Sequence, residues 1–199
     1  MTAQSPTIFL VHHGETEWNR ERRYQGLHDS PLTPHGRRQV THMASLLAQE
    51  VRYLHDVRLV SSPLGRAVET AEIIGAALRL PVTTDSRAME LSLGAWEGLT
   101  RPEIEAMSPG ALAGASRWDW YFRAPGGETF EAAATRLAAW LRELRRPTVL
   151  IGHGVAGRIL RGLYGGLARE EALQPPVRRD AVFKLAAGQI TLLETPQVP

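Results

Sequence analysis

The segment LVHHGETEWN, residues 10–19, sets His12 and His13 side by side where an apolar run ends and a glycine follows. VLIGHG, residues 149–154, repeats the pattern with His153 and Gly154. LVSSPLGRAVET, residues 59–70, also ends an apolar run, and it brings Arg66 into the first turns of a helix. In MELSLGAWEGL, residues 89–99, Glu90 lies in an apolar, glycine-containing stretch. A glycine after the histidine lets backbone N–H groups approach an anion, and a following helix adds its positive end. An apolar setting would favour the protonated form of Glu90, which could then act as an acid. Two histidines, one arginine and one acid suit phosphoryl transfer by covalent catalysis. A neutral imidazole attacks phosphorus in line. Positive charge surrounds the equatorial oxygens, and the acid protonates the leaving alkoxide. Arginine and histidine supply the charge, so this chemistry calls for no metal and no cofactor.

These residues need strand ends to bring them together. TIFLV (7–11), VRLVSS (57–62) and PTVLIG (147–152) are short, β-rich apolar runs that read as buried strands, and PVTTD (81–85) suits a further strand. Between them lie helix signals. Thr33 is an N-cap with Pro34 at the first helical position, and Val40, Met43, Ala44, Leu47 and Val51 keep helical spacing. Pro63 opens a second helix, with Ala67, Ala71, Ile74 and Leu78 inward. Residues 129–144 form a third, with Phe130, Ala134, Leu137, Leu141 and Leu144 on one stripe, and residues 155–165 a fourth. Residues 181–194 read as a closing hairpin. Strands alternating with helices imply an α/β fold whose mainly parallel sheet is covered on both faces. In such sheets ligands bind outside the carboxyl ends of the strands.

The bulk numbers fit this reading. A chain of 199 residues suits one α/β domain. Residues 96–127 have a poorer pattern and read as an insertion over the sheet edge. The net charge is only +2, with 22 arginines against the single Lys184, and no long block of one sign marks a nucleic-acid surface. There is no cysteine, which excludes disulfides and thiolate chemistry. No run has membrane-spanning length, and the N-terminus lacks a signal peptide's basic region, so a cytoplasmic protein is expected. His28, His35, His42 and His55 read as surface residues and Trp96 as core. Trp118, Trp120, Tyr121 and Phe122 either join the core or line a substrate mouth.

The order of these motifs resembles the histidine phosphatases related to cofactor-dependent phosphoglycerate mutase, over nearly the whole chain. HHGETEWN is similar to the family's Arg-His-Gly segment, YQGLHDSPLTPHG to the loop after it, and SSPLGRAVETA to the segment with the second phosphate-binding arginine. ELSLGAWEG, PGGETF and IGHGV follow in order. The resemblance implies a three-layer α/β/α sandwich. It implies His13 as the phosphate acceptor, Glu90 as the proton donor, and Arg66 and His153 as holders of the phosphoryl group. It also implies phosphate contacts at His12, Asn19, Gln25, Gly26 and Gly154, though loop caps and turns explain Asn19, Gln25 and Gly26 equally well. The family has arginine where this chain has His12. Arginine offers a permanent charge and a two-pronged fork, whereas histidine titrates near 6.5. Three functions follow: a phosphomonoesterase acting on a small phosphate ester, a phosphoglycerate mutase, or a phosphate-binding module weakened by His12. The segment from Leu91 to Ala124 is short for a mutase, which favours hydrolysis. The aromatic residues in it suit an apolar or ring-bearing leaving group, and a homodimer is left open.

Overall fold

The structure is a computed structural model that describes residues 6–116, 118–174 and 177–194. Its sheet has six strands in the order β3-β2-β4-β1-β5-β6. β1 (Ile8–His12), β2 (Arg58–Ser61), β3 (Val82–Thr84) and β4 (Thr148–Gly152) are parallel, and β5 (Ala181–Ala186) and β6 (Gln189–Glu194) close the sheet as an antiparallel hairpin against β1. Among the described residues the seven α-helices are α1 (Glu17–Arg20), α2 (Pro34–Val51), α3 (Gly65–Leu78), α4 (Arg101–Met107), α5 (Phe130–Glu143), α6 (Gly154–Gly165) and α7 (Arg169–Leu173).

β1 and β4 are buried at every residue, as continuous apolar runs in a parallel sheet must be. Their side chains alternate between two cores. Ile8 and Leu10 meet Leu137, Trp140, Ile159 and Leu160 from α5 and α6. Phe9 and Val11 meet Val40, Met43, Leu47, Ala67 and Ile74 from α2 and α3. The expected sandwich is therefore present. Its central strands β1 and β4 send their following helices, α2 and α6, to opposite faces. That arrangement opens a crevice beyond the carboxyl ends of the two strands.

Local signals explain most boundaries. The Thr33 hydroxyl accepts the Gly36 N–H at 2.9 Å and caps α2, a contact worth about 1 kcal/mol. α3 starts later than expected: Pro63 lies outside it, Leu64 is its N-cap, and Leu64 provides no capping side chain. The missing cap comes from the distant Asp29, whose carboxylate accepts Gly65 N–H at 2.6 Å and Arg66 N–H at 3.2 Å. On α5 the buried residues are Ala133, Leu137 and Trp140, so the inner face lies slightly around the helix from the expected stripe. Residues 93–124 gather a third apolar cluster around Leu93, Trp96, Ile104, Leu112, Trp120 and Tyr121. Among the described residues, no helix is long and apolar enough to cross a membrane.

Candidate active site

A cavity of about 250 Å³ opens over the ends of β1 and β4. His12, His13, Asn19, Gln25, Gly26, Arg66, Glu90 and Gly154 all line it. His153 lies just behind. Its ring centre is 5.3 Å from that of His13, and it borders a smaller cavity shared with His12 and Gly154.

His13 follows β1, with its N–H on the Gly152 carbonyl at 3.2 Å. Its Nδ1 is 2.8 Å from the Gly14 carbonyl oxygen. A carbonyl only accepts, so Nδ1 carries the proton and the neutral ring keeps its lone pair on Nε2. The Arg66 Nε–H donates to that Nε2 at 3.2 Å. Arg66 is almost wholly enclosed, and three further bonds fix its fork: Nη1 donates to the His28 carbonyl at 2.6 Å and to Asp29 at 2.9 Å, and Nη2 to the Gly26 carbonyl at 2.8 Å. Gly26 can offer that carbonyl because its φ is +54°, and a Cβ there would run into the Glu97 side chain.

His12 has the same kind of tether. Its Nδ1 is 2.7 Å from the His13 carbonyl, so when neutral it presents Nε2 as an acceptor, not as a donor. Both nitrogens of His153 are buried with no hydrogen-bond partner among the described residues. Burial is the main force holding all three rings well below the ordinary value of 6.5. For His12 the Arg179 charge adds to it, for His13 the neighbouring His12, and for His153 Arg66. The site therefore holds three neutral imidazoles.

Two expectations are corrected. The glycine after His13 does not bare its backbone toward an anion. The Gly14 N–H donates to the Thr70 hydroxyl at 3.2 Å, and a Cβ on Gly14 would lie 2.7 Å from the Gly36 carbonyl oxygen. Gly14 is small so that the first turn of α2 can cross the strand end. Nor is Glu90 without polar partners in its apolar stretch. Its carboxylate occupies the N-terminus of α6, accepting Leu91 N–H at 3.1 Å, Val155 N–H at 3.1 Å and Ala156 N–H at 2.9 Å. Glu90 consequently fills the positive helix end that was expected to bind the anion.

The loops carry the rest. Asn19 Oδ1 accepts Thr16 N–H at 3.2 Å in the capping box of α1. Its amide NH2 is left without a partner among the described residues. Gln25 Oε1 is buried and unpartnered. Tyr24, Trp120 and Tyr121 form an aromatic wall, with ring centres 4.4 Å apart for Tyr24–Trp120 and 5.0 Å apart for Trp120–Tyr121. Trp96 is fully buried beneath it, and His35, His42 and His55 are exposed.

Sequence reasoning missed three residues here. Asp29 clamps Arg66. Glu97 ties two loops together by accepting Leu27 N–H at 3.0 Å and Leu93 N–H at 2.9 Å. Arg179 lines the cavity beside His12. The available signal for Arg179 was the hairpin: an antiparallel strand beside β1 must begin at the end where β1 stops.

A family model described as the histidine phosphatase superfamily (branch 1) matches residues 8–188. Among curated proteins, the probable phosphoglycerate mutase GpmB of Yersinia enterocolitica is 40% identical over 171 residues, covering 79% of this chain and 74% of that protein. The protein of the same name from Salmonella paratyphi C is 37% identical over 155 residues, covering 75% and 70%. Among solved structures, Bacillus stearothermophilus YhfR superposes with a TM-score of 0.78 at 31% identity, covering 94% of this chain and 95% of its own. A mycobacterial glucosyl-3-phosphoglycerate phosphatase, solved in complex with VO3, superposes with a TM-score of 0.75 at 30% identity, covering 98% and 100%.

Proposed function

The chain belongs to the histidine phosphatase superfamily, and from that premise we propose that it is a phosphomonoesterase working through a phosphohistidine on His13. One observation carries the reading: His13 Nδ1 is tied to the Gly14 carbonyl, so the Nε2 lone pair faces the cavity beside Arg66. As a phosphate ester enters, the Arg66 Nε–H moves from Nε2 to an equatorial oxygen. The ester enters as its monoanion and passes its proton to the Glu90 carboxylate; Nε2 then attacks phosphorus, the ester P–O bond breaks, and the leaving oxygen takes that proton from Glu90. Water attacks the phosphohistidine and passes a proton back to Glu90, and the P–N bond breaks to restore neutral His13. His153 and the amides of Asn19 and Gln25 bond the phosphoryl oxygens, and Gly154 leaves room for them. Arg66 provides permanent positive charge where the transition state needs it.

The substrate is a small phosphate ester whose leaving group lies against Tyr24, Trp120 and Tyr121. An aromatic wall suits the flat or apolar face of a sugar or ring. The deciding experiment measures phosphate release from a panel of aryl, sugar and glycerate phosphates, with the burst of the first turnover recorded. Activity is expected to persist in EDTA, because the charge comes from side chains of the chain itself; strict dependence on magnesium would contradict the mechanism.

The names of the curated relatives favour a second reading, phosphoglycerate mutase. There the phosphohistidine would return its phosphoryl group to a second hydroxyl. Interconversion of the two phosphoglycerates that requires 2,3-bisphosphoglycerate, with little phosphate released, would establish it. Phosphate binding with no turnover on any ester would leave the binding module.

A further inference from the structure

We propose that Arg179 is a phosphoryl ligand that supplies the permanent charge His12 lacks; this rests on the phosphatase reading of the cavity. Chain topology brings it there. β5 runs antiparallel to β1, with Val182 paired to Val11, so the residues just before β5 arrive beyond the end of β1. Phe183 and Leu185 of β5 face the core that holds Leu10. Counting back by twos reaches Ala181, where β5 begins, and Arg179 lies two residues before it. Its neighbour Arg178 borders the smaller cavity beside His12 and His153 but is already paired. Arg178 Nε donates to Asp180 at 2.9 Å, and its guanidinium also pairs with Glu194 at 2.7 Å. Arg179 instead lines the cavity with His12, His13, Arg66 and Glu90. Its Nε is buried and has no hydrogen-bond partner among the described residues.

A buried N–H of a charged group left unpaired is costly. Facing the cavity with an unused donor, it suits an anion. Its surroundings make the same point. Glu15 and Glu90 both act on Arg179 through charge without a hydrogen bond to its Nε, and Glu90, the acid that lines the cavity, spends its oxygens on Leu91, Val155 and Ala156. A Cβ on Gly154 would be 3.5 Å from His12 Nε2, 3.3 Å from Val177 Cγ2 and 3.7 Å from Glu90 Oε2, so these groups converge on one spot. The charge balance completes the case. Arg66 already uses four N–H groups on His13, His28, Asp29 and Gly26. Neutral His12 offers a phosphoryl oxygen only a lone pair, and two acceptors repel. Arg179 resolves that conflict by donating from the same side. The arginine absent from position 12 is thus replaced from the segment that leads into β5.

The test measures the dissociation constant of inorganic phosphate, with kcat/KM in parallel, at about pH 8, where phosphate is a dianion. Arg179→Met should weaken phosphate binding by about tenfold or more, the loss of one charged hydrogen bond, and should lower kcat/KM at least as much. Adding His12→Arg to Arg179→Met should recover most of both losses, which a merely structural role for Arg179 would not allow. Arg146→Met, at the opposite end of the sheet, should change neither. If the methionine variant does not fold, Arg179→Gln takes its place with the same expected outcomes. On the parent protein, phosphate should slow phenylglyoxal modification of Arg179, mapped by mass spectrometry, relative to Arg146. Unchanged phosphate affinity, no recovery by His12→Arg, an equal loss in Arg146→Met, or equal modification rates with and without phosphate would each overturn the proposal. If the parent hydrolyses no ester at all, the phosphatase reading fails, while the phosphate affinities and modification rates still decide the role of Arg179.

Discussion

The Nε–H of Arg66 donates to Nε2 of His13 across 3.2 Å, so the lone pair of that nitrogen is covered. The contact does two things. It fixes the ring with Nε2 toward the cavity, and in the proposed mechanism it covers the lone pair until a phosphoryl oxygen competes for the same N–H. Arg66 can wait in that position because its other donors are bound to backbone carbonyls and to Asp29.

Asp29 should therefore matter for catalysis although it touches no reacting atom. Asp29→Ala removes the cap of α3 and the carboxylate that steadies Nη1. The cap alone is worth about 1 kcal/mol of stability. With Arg66 free to swing, kcat/KM is expected to fall by about tenfold or more. Steady-state kinetics beside urea unfolding separates the two effects. A variant that loses stability but keeps full kcat/KM would show that Arg66 needs no clamp.

Glu90→Gln distinguishes an acid from a helix cap. The glutamine retains one oxygen for the α6 N–H groups but cannot give the leaving oxygen a proton as a carboxylic acid does. An aryl phosphate, with a good leaving group, should lose little rate, whereas an alkyl phosphate should lose about a hundredfold or more. Equal losses on both would restrict Glu90 to positioning α6.

The three buried rings make a statement about pH. Each has its native value lowered below 6.5, chiefly by burial. In the unfolded chain they bind protons as pH drops past about 6.5, while in the native protein they do not. The unfolded state then holds more protons, so stability present above that pH is lost as pH falls below it. Each ring that stays neutral contributes up to about 1.4 kcal/mol per pH unit. Urea unfolding at about pH 7 and pH 5.5 should show the decrease. The acid limb of kcat/KM should likewise lie below 6.5, because His13 remains neutral there. A flat stability profile, or an acid limb at 6.5 or higher, would contradict neutral, buried rings.

Much of this was legible in the sequence because it is periodic or local. The apolar runs ending at His13 and His153 announced β1 and β4, and the 3.6-residue spacing of Val40, Met43, Ala44 and Leu47 announced α2. The parallel order of the strands then places both histidines at one crevice. What was not legible depends on contacts made in space. Asp29 and Glu97 are ordinary loop acids until folding sets them beside Arg66 and against two backbone turns. Gly14 looked like an anion-binding glycine, but its smallness serves the approach of Gly36, which lies far along the chain. The apolar letters around Glu90 gave no sign that the end of α6 would supply its partners. Arg179 reaches the cavity only because the last hairpin runs antiparallel to β1, a matter of topology and not of motif.

The central claim is that phosphorus becomes bonded to His13. The most direct test mixes the protein with a phosphate ester, quenches within the first turnover, and maps acid-labile phosphate by mass spectrometry. The expected result is one phosphoryl group on Nε2 of His13, absent from a folded but inactive His13→Ala. Phosphate found on His153 or His12, or full turnover in His13→Ala, would contradict it.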